Sequence, residues 1–197
     1  MHVISRDHPC YFLTSVTKDR LPVFRTDVVK TVVCRALDEA RRSGGFCLYA
    51  YVIMLDHLHV ISDSTLSPSK TLQFVNGITS RRVIDYLKEG QYERSLRKLE
   101  TQPGRRRHRF SLWDHHPDVR LLLTETMLMQ RVHYTHMNPV RASLAQKPED
   151  YRWSSVRQWI GKATDNEPLW MNLDQIKWRV VEPHGRHRRG SKRGTGR

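Results

Sequence analysis

Between Cys10 and Leu87 the apolar pattern changes period repeatedly, and that order limits the fold more than any other feature of the chain. Cys10 to Thr17 (CYFLTSVT) is a β-rich run that ends in a charged turn, Lys18-Asp19-Arg20. Thr26 is placed to cap a helix carrying Val28, Val32, Val33, Leu37 and Ala40, and Gly44-Gly45 stops it. Phe46 to Met54 and Leu58 to Ile61 read as two strands around a tight turn at Leu55-Asp56. Ser67 with Pro68 opens a second helix through Leu72, Val75, Ile78, Val83 and Leu87, with an unfavourable Gly77 inside it that predicts a bend.

Beyond Lys88 the pattern weakens into a polar, basic stretch to Arg109, a loop or weak helix. Phe110 to Trp113 is the expected fourth strand. Pro117 is expected to start a long helix through Leu121, Met127, Met129 and Val132 to about Met137. Pro139 should interrupt it, a short helix should follow over Val140 to Ala145, and the Tyr151 to Trp159 segment comes next. Strand-helix-strand twice, with an antiparallel pair in the middle, predicts an α+β fold: a ferredoxin-like split βαβ sandwich with an antiparallel central sheet. Expected boundaries are one domain over residues 1–160, a C-terminal extension over 161–182 and a basic, disordered tail over 183–197.

Charge narrows the partners. A net +14 on 197 residues would repel itself in a compact fold, so it points to a polyanion. Nucleic acid is preferred to anionic membrane, because no basic amphipathic helix with a bulky apolar face stands out. Met1 to Phe12 has no apolar signal core, and no run reaches membrane-spanning length. Cys10, Cys34 and Cys47 are odd in number and widely spaced, which supports neither a disulfide framework nor a zinc ribbon. The expected compartment is a reducing cytoplasm.

Two motifs carry chemistry. In His57-Leu58-His59 the side chains alternate, so both imidazoles leave the same face of the sheet, where they can hold one divalent metal. A half-exposed strand with two solvated histidines reads the same string equally well. Asp56 can orient an imidazole, join the metal or serve the turn. Tyr134 lies near the end of the long helix with Asn138 four residues on, on the same face if the helix continues. A tyrosine beside a metal can attack a phosphodiester, although a packed core tyrosine is the commoner fate of such a residue. Asn138 suits two roles equally, metal ligand or N-cap of a helix begun by Pro139.

Taken together these residues resemble a known family. Tyr49 to Val60 (YAYVIMLDHLHV) is similar to the His-hydrophobic-His strand of the HUH single-tyrosine transposases. Tyr134 to Ala142 (YTHMNPVRA) resembles the signature of their REP-associated branch, as do Pro148 to Ser155 and Thr17 to Phe24. The likeness runs in order from about Tyr11 to Trp159. It implies an HUH domain that cleaves and rejoins single-stranded DNA near folded hairpins. It further implies Mg²⁺ or Mn²⁺ on His57 and His59, with Asn138 at the position of the third ligand, and a 5′-phosphotyrosine link at Tyr134. Leu55 stands where the family has proline and Ser143 where it has glycine.

Arg81, Arg82, Arg105, Arg106, Arg107, Arg131 and Arg141 are the candidate phosphate contacts, the last two near Tyr134 in sequence. Trp113, Trp153 and Trp159 could stack on unpaired bases or fill the core, and none is assigned. A catalytically silent, domesticated hairpin-binding protein on the same scaffold is the alternative function. Monomer and homodimer both suit these residues.

Overall fold

The computed structural model describes residues 2–4, 9–63, 65–101 and 109–180. The expected phosphate contacts Arg105, Arg106 and Arg107 and the expected tail over 183–197 lie outside them. In chain order the elements are β1 His2–Ile4, β2 Cys10–Val16, α1 Asp27–Gly44, β3 Leu48–Ile53, β4 His57–Asp63, α2 Pro68–Glu89, α3 Glu93–Leu99, β5 Asp118–Leu122, α4 Glu125–Arg141, α5 Val156–Trp159 and β6 Trp178–Val180.

Strands β3-β4-β2-β5 form one sheet in that order, every neighbouring pair antiparallel, and β1 pairs with β6 apart from it. With α1 and α2 as the crossovers, this is the split βαβ arrangement that the sequence pattern predicts. The period of two in β2 divides the core. Tyr11 and Leu13 join Val33, Leu37, Val75 and Val83 of α1 and α2 on one face. Cys10 and Phe12 join Leu128 and Val132 of α4 on the other. Each such side chain removed from water stabilises the fold by about 1.5–3 kcal/mol. Thr26 and Ser67 cap α1 and α2 through Val29 N and Lys70 N, as their sequence positions indicate.

The chain departs from expectation after residue 109. Phe110 and Trp113 make only isolated bridges, to Glu100 and Thr17, and the fourth strand is β5. Residues 118–122 are therefore not the first turns of a helix. Leu121-Leu122-Leu123 leans towards helix by intrinsic propensity, but that lean is small, and the open edge of β2 supplies the ladder partners that override it. Helix α4 starts at Glu125, where the Thr124 side chain accepts from Met127 N. It continues through Pro139 to Arg141, so the break at Pro139 and the separate helix over 140–145 do not occur.

β3 lies at the sheet edge yet is buried along its length. Later residues cover it: Ile53 N donates to Trp153 O at 2.9 Å, Ser155 N to Tyr51 O at 3.0 Å, and Asn172 N to Leu48 O at 2.8 Å. The 151–172 segment thereby supplies the hydrogen bonds that a naked edge would offer to another chain. Trp113, Trp153 and Trp159 are also committed internally. Trp113 Nε1 donates to Asn76 O, Trp153 Nε1 to Asp27 Oδ1 and Trp159 Nε1 to Tyr49 O.

Candidate active site

The site forms where β4 faces α4. His57 and His59 leave the same face of β4, with ring centroids 4.9 Å apart. Each imidazole is fixed by its Nδ1. His57 Nδ1 lies 2.6 Å from Asp56 Oδ1, and His59 Nδ1 lies 2.9 Å from Thr14 Oγ1 on the neighbouring strand β2. Arg20 Nη1 bonds the other Asp56 oxygen at 3.1 Å. Burial alone would raise the Asp56 carboxyl, but the hydrogen bonds and charges of His57 and Arg20 outweigh it and hold it below its ordinary value. An imidazole anchored through Nδ1 presents Nε2 outward, the arrangement found in metal-binding histidines.

His59 is almost wholly buried, at 3% exposure, and Phe12 stacks on its ring at 5.2 Å. Burial, the charge of His57 and the Arg131 guanidinium push its pKa down to about 3, against a weaker upward pull from the Asn138 side chain. The ring is thus neutral across the physiological range. Its Nε2 is buried with no hydrogen-bond partner among the described residues. A buried ring nitrogen without a donor or acceptor costs roughly 1–3 kcal/mol, so an orphan here fits a position built to hold a cation.

Tyr134 comes from α4. Its ring meets the His59 ring edge-on at 5.4 Å and the Phe12 ring at 5.9 Å. Arg131 and Arg141 lie over it, with guanidinium carbons 5.8 and 5.3 Å from the ring centroid. Residues at minus three, plus four and plus seven from Tyr134 share one helix face, and that face carries Arg131, Asn138 and Arg141. Asn138 caps no helix, since α4 runs past it; its Nδ2 donates back to Tyr134 O at 2.8 Å and Thr135 O at 3.4 Å. The amide oxygen is left as the end that can accept or ligate.

The fold therefore brings His57, His59, Tyr134, Asn138, Arg131 and Arg141 together. It does not bring Arg81 and Arg82 to them: both sit on α2, across the sheet from α4, and Arg82 grips Glu39 at 2.7 and 2.8 Å. Thr14, Phe12 and Arg20 belong to the site and were not marked by sequence. The alternation of β2 puts Phe12 and Thr14 on one face, but nothing local says which histidine they oppose. Among the described residues no group of three or more His, Cys, Asp or Glu side chains is placed to hold a metal. A metal here would rest on two imidazoles and an amide.

Comparison with known proteins finds similar chains. Residues 8–98 match the family model described as "Transposase IS200 like", a span that takes in both histidines and ends before Tyr134. A solved REP-associated tyrosine transposase, bound to a REP hairpin, matches over 91% of this chain and 96% of its own at 13% identity, with a TM-score of 0.53. At that identity the likeness shows a common fold. A putative transposase from Deinococcus radiodurans matches 64% of this chain and 88% of its own at 21% identity, with a TM-score of 0.46. No curated protein matches the chain in sequence. Among the described residues no helix is long and apolar enough to cross a membrane.

Proposed function

With its segment 8–98 in the IS200-like transposase family, we propose that this chain cleaves and rejoins single-stranded DNA at hairpin-flanked sites, with Tyr134 as nucleophile. The observation that carries the reading is the meeting of Tyr134 with His59, 5.4 Å between rings, on a face that also holds His57 and Asn138.

His57, His59 and Asn138 would hold a divalent ion, Mg²⁺ or Mn²⁺, and the orphaned Nε2 of His59 fits that role. When bound, the ion supplies Lewis-acid polarisation of a phosphate oxygen. Imidazole donors also accept zinc tightly, so supply decides occupancy together with the site. The protein's own groups do the rest. The Tyr134 phenolic oxygen attacks phosphorus after losing its proton to water. A bond from phosphorus to the tyrosine oxygen forms as the bond to the 3′ oxygen breaks. The departing oxygen takes up a proton as a free 3′-hydroxyl, and the 5′ phosphate stays on the protein. One phosphoester replaces another, so the reverse attack can rejoin the strand. Arg131 and Arg141 flank the phenol and would seat the scissile phosphate through charge-assisted hydrogen bonds.

The test is a denaturing gel of labelled single-stranded hairpin DNA with wild type and Tyr134→Phe, each with Mn²⁺ or EDTA. The reading predicts a shifted covalent band with wild type and Mn²⁺ alone. Hairpin binding on a native gel with no covalent band under any condition would instead mark a silent DNA-binding protein.

A further inference from the structure

We infer that Pro139 is a positioning residue, whose missing N–H leaves the Thr135 carbonyl to the Asn138 side-chain amide and so helps to fix which way the amide oxygen points. The inference rests on the reading of Asn138 as a metal ligand.

A proline inside a helix removes one hydrogen bond and crowds the carbonyl four residues back. Here that carbonyl belongs to Thr135, yet α4 does not stop at Pro139; it continues to Arg141. The Asn138 Nδ2 group reaches the freed Thr135 O at 3.4 Å and is held beside it by a shorter bond to the neighbouring Tyr134 O at 2.8 Å. A primary amide has two ends, and committing the nitrogen to helix carbonyls fixes where the oxygen goes. The anchoring carbonyl at 2.8 Å is the nucleophile's own, so one short bridge ties the proposed ligand to Tyr134. Pro139 is itself buried and cannot swing away.

With alanine at 139 the main-chain N–H would compete for Thr135 O, and the Asn138 amide would lose part of its anchor. The helix should gain regularity while the site loses definition. A residue of purely structural importance would move both in the same direction.

The experiment uses the full chain and Mn²⁺ alone, with free Mn²⁺ followed by its EPR signal, for wild type, Pro139→Ala, Asn138→Ala and the double variant. Thermal midpoints are recorded in parallel without metal. Expected are Mn²⁺ binding by wild type, an affinity about tenfold lower in Asn138→Ala, and a several-fold loss in Pro139→Ala without a lower midpoint. The double variant should bind no worse than Asn138→Ala, because Pro139 acts only through Asn138. Wild-type affinity in Pro139→Ala, or losses that multiply in the double variant, would overturn the inference alone. Absence of Mn²⁺ binding by wild type would overturn the ligand reading beneath it. If Pro139→Ala fails to fold, hydrogen exchange of the Asn138 side-chain amide in wild type decides: slow exchange supports the anchor, and exchange as fast as in an exposed asparagine refutes it.

Discussion

Ser143 has φ of 55°, the left-handed region that a side chain disfavours by about 1–2 kcal/mol and glycine tolerates. It closes α4, with its N–H on Val140 O at 3.0 Å. Ser143→Gly should raise stability by about 1 kcal/mol in urea unfolding, and a fall would mean that the serine hydroxyl matters more than the backbone. Asp56 tests the site itself. It anchors His57 Nδ1 at 2.6 Å, and loss of a carboxylate partner behind a metal-binding histidine typically weakens the metal 10–100-fold. Asp56→Ala should show that loss in Mn²⁺ titration, whereas unchanged affinity would leave Asp56 a turn residue held by Arg20 and Thr17. At this scale the two histidines were legible because strand alternation is a local rule. Thr14, Phe12 and Arg20 were not, because the register that sets Thr14 opposite His59 lies between strands 45 residues apart.

The elements divide in the same way. α1, β3, β4 and α2 carry their signals within a few residues: Thr26 and Ser67 as caps, Gly45 at φ 64° after α1, and the turn at Leu55-Asp56. Between Pro117 and Thr124 no residue signals a strand, and the free edge of β2 made 118–122 one. Thr124 then becomes the true start of α4, through its side chain on Met127 N at 3.2 Å. Thr124→Ala should cost about 1 kcal/mol, read as a lower urea midpoint with unchanged slope. A neutral result would show that packing of Leu128 and Val132 holds the helix end unaided. Pro139 misled in the other direction: the rule that proline breaks helices is sound, but the Asn138 side chain beside it bridges the break.

Across the molecule, residues 151–176 return over β3 and α1, which no periodicity announced. Their lock is the Arg157–Glu167 pair at 2.8 and 3.0 Å, with the Glu167 side chain fully buried and also accepting from Thr164 N. Removing one partner of such a pair leaves an uncompensated charge, so Glu167→Ala should destabilise the protein by about 3 kcal/mol in urea. A change under about 0.5 kcal/mol would mean that the segment sits on the fold without holding it. The net charge of +14 and the resemblance point to DNA as the proposed partner, but charge alone names no binding face. Arg131 and Arg141 reach Tyr134, while Arg81 and Arg82 lie across the sheet.

The central claim is that one tyrosine of seven carries the chemistry. Cleavage by trypsin after Arg131 and Arg141 releases Val132 to Arg141, a peptide whose single tyrosine is Tyr134. Wild-type protein would be incubated with single-stranded hairpin DNA and Mn²⁺, digested with trypsin and nuclease, and analysed by mass spectrometry. The account predicts a 5′-linked nucleotide phosphate on that peptide, lost with EDTA. The same mass on any other tyrosine-containing peptide, or a link through a 3′ phosphate, would contradict it.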